Sequence, residues 1–173
     1  LEGFLYPDTY LVPSSSKPED FVKQVLKNFG DKIAPFEQDF ATNKLSMYQI
    51  LTIASIVEKE ATKQEDRDMI AGVFLKRFEV GMSLGADPTV LYALGSWKAD
   101  LTVAALNMDS PYNTRKFTGL PPSPICNPSI SSIKATLRPT STDYLYFVAK
   151  DGKNYYSKTL EEHEKKKNEL GVY

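Results

Sequence analysis

The chain has 173 residues, a length that fits one domain with a substantial core. Its 21 basic and 22 acidic side chains are interspersed and give a formal net charge of −1, so there is no broad cationic face for a phosphate backbone and nucleic acid is not an expected partner. One cysteine, Cys126, cannot close an internal disulfide, and with one histidine, His163, far from it in sequence there is no zinc spacing; no metal or cofactor is expected.

Four capping boxes, Ser16-x-x-Glu19, Ser46-x-x-Gln49, Thr62-x-x-Glu65 and Thr159-x-x-Glu162, predict helices beginning near 17, 47, 63 and 160. The first carries Phe21, Val25, Leu26, Phe29 and Ile33 at helical spacing, with Gly30 and Pro35 expected to bend or interrupt it. In the second, residues 50 to 57 place apolar side chains on every face, which predicts a helix buried over most of its circumference. The third carries Ile70, Val73, Phe74 and Phe78 and should stop at Gly81. Asp87 followed by Pro88 reads as the cap of a short helix ending at Gly95, and further short helices are expected after Thr102 and from Ile130 to Leu137.

Between them, residues 108–129 hold five prolines, so no regular element is expected there; the segment reads either as a covering connection or as the wall of a cleft. YLYFVAK (144–150) and NYYS (154–157) flank Asp151-Gly152, a hairpin signature. The aromatic stretches GFLY and TYLV near the start are expected to pair with that hairpin. The fold class is therefore α+β: a mostly helical body with a small, largely antiparallel sheet formed from the N- and C-terminal parts. The run Glu164-Lys165-Lys166-Lys167 reads as a solvated helix face.

The candidate chemistry lies in ASIVEKEA (54–61). At 100° per residue Glu58 continues the stripe of Leu51 and Ala54, whereas Glu60 follows Ile53, Ile56 and Val57. Small Ala54 and Ser55 would leave space beside Glu58. A carboxyl group in apolar surroundings has a raised pKa and can act as a general acid at a glycosidic oxygen. The alternative is that both acids are the wet end of a core helix, paired with Lys59 or Lys63. No G-x-S-x-G is present, and GMSLGAD lacks the spacing of a phosphate-binding loop. Nine Phe, ten Tyr and Trp97 supply platforms for sugar faces, most of them required by the core.

LEGFLYPDTY (1–10), ASIVEKEA (54–61), GMSLGADPTVLYALG (81–95), SPYNTRKFTGLPPSPICNPS (110–129) and DYLYFVAKDGKNYYSKTLEEH (143–163) stand in the order seen in the YceG-like family of endolytic murein transglycosylases. The chain resembles the extracytoplasmic catalytic domain of that family over nearly its whole length, 1–173. The resemblance implies cleavage within peptidoglycan glycan strands, between N-acetylmuramic acid and N-acetylglucosamine, leaving 1,6-anhydro-muramyl ends and terminating nascent strands. It implies a parent protein held in the cell membrane by a single N-terminal anchor, with a LysM-like region preceding this domain, and partners among the cell-wall synthesis enzymes.

The same resemblance puts the catalytic glutamate at Glu58, with Glu60 as the alternative, and places Tyr112 and Asn113 along the cleft, with Glu2 and Asp87 also facing it. One carboxyl would suffice, because the attacking group is the sugar's own C6 hydroxyl. Departures from the usual family residues are Gly85 for glutamine, Arg115 for tyrosine, Ser123 and Ser129 for glycines, and Asn154 for histidine. A hydrolase pairing Glu58 with Asp87 or Glu2, and a non-catalytic glycan-binding module, are the competing readings.

Overall fold

The structure, a computed structural model, describes residues 1–61 and 63–172. The first helix, α1 (Pro18–Ile33), runs through Gly30 and is broken by a 3-10 turn (Ala34–Phe36) containing Pro35, which leads into α2 (Glu37–Thr42). Lys17 precedes α1 and no side chain caps its first turn, so the box expected at Ser16 does not form. The box at Ser46 does form at the start of α3 (Met47–Glu60): Gln49 N–H donates to Ser46 Oγ at 3.3 Å and Ser46 N–H to Gln49 Oε1 at 2.9 Å. All residues of α3 from Ile50 to Val57 are buried.

Next comes α4 (Gln64–Glu79); its expected box rests on Thr62, outside the described residues. Three short helices follow, α5 (Asp87–Ala93), α6 (Val103–Leu106) and α7 (Ile130–Leu137). Asp87 is the first residue of α5 rather than its cap: Ala86 precedes the helix, no side chain caps it, and the Asp87 carboxylate goes instead to Arg115. α3, α4 and α7 pack on one another and hold the core, in which Ile53, Ile56, Ile70, Phe74, Leu84 and Ile125 are fully buried. Gly72 allows residues 139–142 to lie directly on α4, where an added Cβ would meet Thr140 O at 2.2 Å.

The sheet is a single hairpin, β1 (Tyr146–Lys150) against β2 (Lys153–Ser157), antiparallel with Tyr146 opposite Ser157. Asp151 (φ 51°) and Gly152 (φ 70°) turn it, both left-handed as the two-residue turn demands. α8 (Leu160–Leu170) starts from the Thr159–Glu162 box and packs on the hairpin. The α+β class stands, with a correction: the N-terminal stretch adds no strand. Gly3 and Leu5 N–H groups, which strand pairing would need, both donate to Asn127 Oδ1 (2.7 and 3.1 Å), and Phe4 seats against Phe29 and Tyr48.

Candidate active site

Two residues apart on α3, Glu58 and Glu60 point about 200° away from each other. Glu58 faces α7. Its Oε2 accepts three hydrogen bonds, from Ser129 N–H (3.0 Å), Ser129 Oγ (2.6 Å) and Ser132 Oγ (2.6 Å). Ser129 immediately precedes α7, so the carboxylate also sits at the positive end of that helix. Burial alone would raise its pKa, but the Ser129 and Ser132 bonds, with the charge of Arg67, bring it below the ordinary range. The expectation of an apolar niche with a raised pKa at Glu58 is thus corrected. Of the small residues beside it, Ser55 is itself engaged: its Oγ takes the Ile125 N–H at 2.9 Å, and Cys126 Sγ donates to Ser55 O at 3.3 Å.

Glu60 has the property expected of Glu58. It lines an open cavity of about 430 Å³ together with Arg77, Asp87, Arg115, Tyr146 and His163. Burial is the main cause that lifts its pKa to about 7, the Asp87 charge adds to it, and Arg77 and Arg115 act in the opposite sense. A carboxyl in this state carries its proton at neutral pH yet gives it up readily. Arg77, itself buried, ties two walls of the cavity together: its Nη1 donates to Leu84 O, its Nε donates to Leu145 O at 2.5 Å, and its guanidinium lies over Tyr146. His163 stacks on the same Tyr146 ring at 5.4 Å and is held below its usual pKa by burial.

Asp87 reaches this cavity as a carboxylate paired with Arg115 Nη1 at 2.6 Å. Their two segments are fastened by threonines: Thr89 Oγ1 and Thr114 Oγ1 lie 2.8 Å apart, Ala86 N–H donates to Thr114 Oγ1 at 3.1 Å, and Gly85 N–H to Thr114 O at 2.8 Å. Asn113 does not reach the cleft. It is fully buried and its amide serves the loop itself, donating to Leu106 O and Met108 O and accepting from Arg115 and Lys116 N–H. Tyr112 bonds Ser123 Oγ at 2.7 Å and packs on Tyr92 at 4.8 Å.

Glu2 belongs elsewhere, in a second cavity, where it accepts from Tyr92 Oη at 2.5 Å. Glu164 and Lys167, expected on a solvated face, also line the Glu60 cavity. Sequence reasoning missed Arg77, whose signal was a charge at the next position of the buried stripe Ile70, Val73, Phe74.

The sequence profile of the YceG-like family matches residues 1–169. The chain belongs to the YceG-like family. It is 46% identical over 170 residues to the endolytic murein transglycosylase of Bacillus subtilis, covering 96% of this chain and 47% of that protein. The endolytic murein transglycosylase of Streptococcus pneumoniae is 38% identical over 172 residues, covering 95% of this chain and 31% of that protein. The chain therefore spans less than half the length of these relatives. The crystal structure of a YceG-like protein from Listeria monocytogenes superposes with a TM-score of 0.88 at 48% identity, over 94% of this chain and 54% of that one.

Ser129, Arg115 and Gly85 each fall in or beside the site. Ser129 adds a hydroxyl to the shell of Glu58, Arg115 pairs with Asp87, and Gly85 lines the Glu60 cavity. At Gly85 the backbone is left-handed (φ +62°) and an added Cβ would come 3.2 Å from Arg77 Nη1, so the guanidinium packs close against this glycine.

Proposed function

We propose that this domain cuts murein glycan strands internally as a lytic transglycosylase, with Glu60 rather than Glu58 as its acid and base. The supporting observation is that Glu60, protonated up to about pH 7, opens onto a cavity lined by fixed charges. Glu58, by contrast, is ionised and fully engaged at Oε2. In the first step Glu60 gives its proton to the oxygen between N-acetylmuramic acid and N-acetylglucosamine as the C1–O bond breaks, and the leaving sugar departs with a 4-hydroxyl. As carboxylate, Glu60 then takes the proton of the muramyl C6 hydroxyl while O6 bonds to C1. No water is consumed, and the product is a 1,6-anhydro-muramyl end. Holding the hydroxyl next to C1 makes ring closure effectively unimolecular.

Digestion of purified peptidoglycan with mass spectrometry of the products tests this. The wild type should leave terminal sugars lighter by one water, Glu60→Gln should leave none, and Glu58→Gln should still cut. Turnover by Glu60→Gln, or its loss in a folded Glu58→Gln variant, would return the role to Glu58.

Hydrolysis is a second reading, favoured by one observation: Asp87, 2.6 Å from Arg115 Nη1, shares the cavity with Glu60 and supplies the second carboxyl group that a hydrolase needs. Reducing ends in place of anhydro ends would select it. In the cell, the resemblance supports a domain carried on the extracytoplasmic face by a single membrane anchor, ending nascent strands beside the cell-wall synthesis enzymes. Protease accessibility in intact and permeabilised cells, with cross-linking to those enzymes, checks both points.

A further inference from the structure

We infer that the cavity beside Trp97 is an accessory saccharide subsite, gripping sugars of the same strand one or two rings from the bond cut at Glu60. This rests on the glycan-cleaving reading above and extends it to residues with no role in the chemistry. The cavity is about 510 Å³ and is lined by Glu2, Tyr92, Trp97, Cys126 and Asn127 among others.

Trp97 is 45% exposed, unusual for so large an apolar side chain, and its ring is nonetheless held: Tyr92 packs against it at 6.3 Å and the Lys59 ammonium lies over one face, 4.2 Å from the ring centre. Tyr92 is fixed in turn by Tyr112 and by its hydrogen bond to Glu2. A rigid aromatic surface edged by a carboxylate, a phenol and an amide suits a pyranose ring, which offers an apolar face of C–H groups and a rim of hydroxyls.

Position argues for one continuous strand over two independent sites. α5 carries Asp87 into the Glu60 cavity and Tyr92 into the Trp97 cavity, about 7.5 Å apart along the helix axis and about 140° around it, so the two cavities flank one short helix. The last turn of α3 does the same, with Glu60 in the first cavity and Lys59 on the Trp97 ring. An enzyme cutting inside a polymer must hold sugars away from the break, and this is the neighbouring surface shaped to do so.

The sequence has a single tryptophan, so its intrinsic fluorescence reports this cavity alone. Titrating Glu60→Gln with soluble, peptide-free strands of alternating N-acetylglucosamine and N-acetylmuramic acid should change Trp97 emission saturably. In the otherwise wild-type protein, Trp97→Ala should raise KM about tenfold, the loss expected for one stacked ring, and Trp97→Phe should recover most of it. kcat should hold in both. Emission unaltered while calorimetry detects strand binding, a KM untouched by Trp97→Ala, or a response only to strands bearing peptide stems would each overturn the subsite. A saturable Trp97 response without any cleavage by wild type would uphold it and overturn the lytic reading instead.

Discussion

Glu58 and Glu60 carry the same chemical group on the same turn of α3, and their surroundings drive them to opposite charge states. Three donors and a helix terminus hold Glu58 ionised, while burial and Asp87 keep Glu60 protonated toward neutrality. The activity profile should therefore fall on the alkaline side as pH rises through about 7, the limb belonging to the loss of the Glu60 proton. Stability carries the opposite signatures of the two groups. Glu60 is neutral when folded and charged when unfolded between its ordinary 4.5 and about 7, so folding takes up a proton and stability falls as pH rises across that window. Glu60→Gln removes this cost and should raise stability at pH 7 by up to about 3 kcal/mol. Glu58 works the other way: its contribution is present above its ordinary 4.5 and is lost as pH falls through its lowered folded value. Glu58→Gln should thus lower stability by about 1–3 kcal/mol at pH 7, read from urea titrations of each variant.

At the scale of elements, contacts that are local in sequence were legible and those that are distant were not. The boxes at Ser46 and Thr159, the stop after Glu79, the limits of α7 and the Asp151-Gly152 turn all follow from residues within a few positions of one another. The divergence of Glu58 and Glu60 was also readable from helical geometry, but which of the two would be held by hydrogen bonds and which would line a cavity was not. That depended on Ser129 and Ser132, more than 70 positions away, and on Arg115 and Asp87, whose pairing also took Asp87 from the cap it was expected to form. The N-terminal strand failed for the same reason, since its amides found Asn127. Gly72 makes the point at a helix crossing. Alanine is a better helix former, yet Gly72→Ala drives a methyl into Thr140 O and should cost about 1–3 kcal/mol, measured as a drop in Tm.

Across the whole molecule, Asn127 ties the N-terminus to a distant loop: it binds the first residues to the segment that also supplies Ile125 to the core. Asn127→Ala should accelerate hydrogen exchange at Gly3 and Leu5 by about tenfold while leaving the buried amides of α3 unchanged. The Glu60 cavity is braced by long-range contacts as well, through Arg77. Its planar fork donates to Leu84 O on one side and to Leu145 O on the other. The aperture is consequently a braced slot rather than a hinged mouth. Whatever enters it meets two walls tied to each other by one side chain.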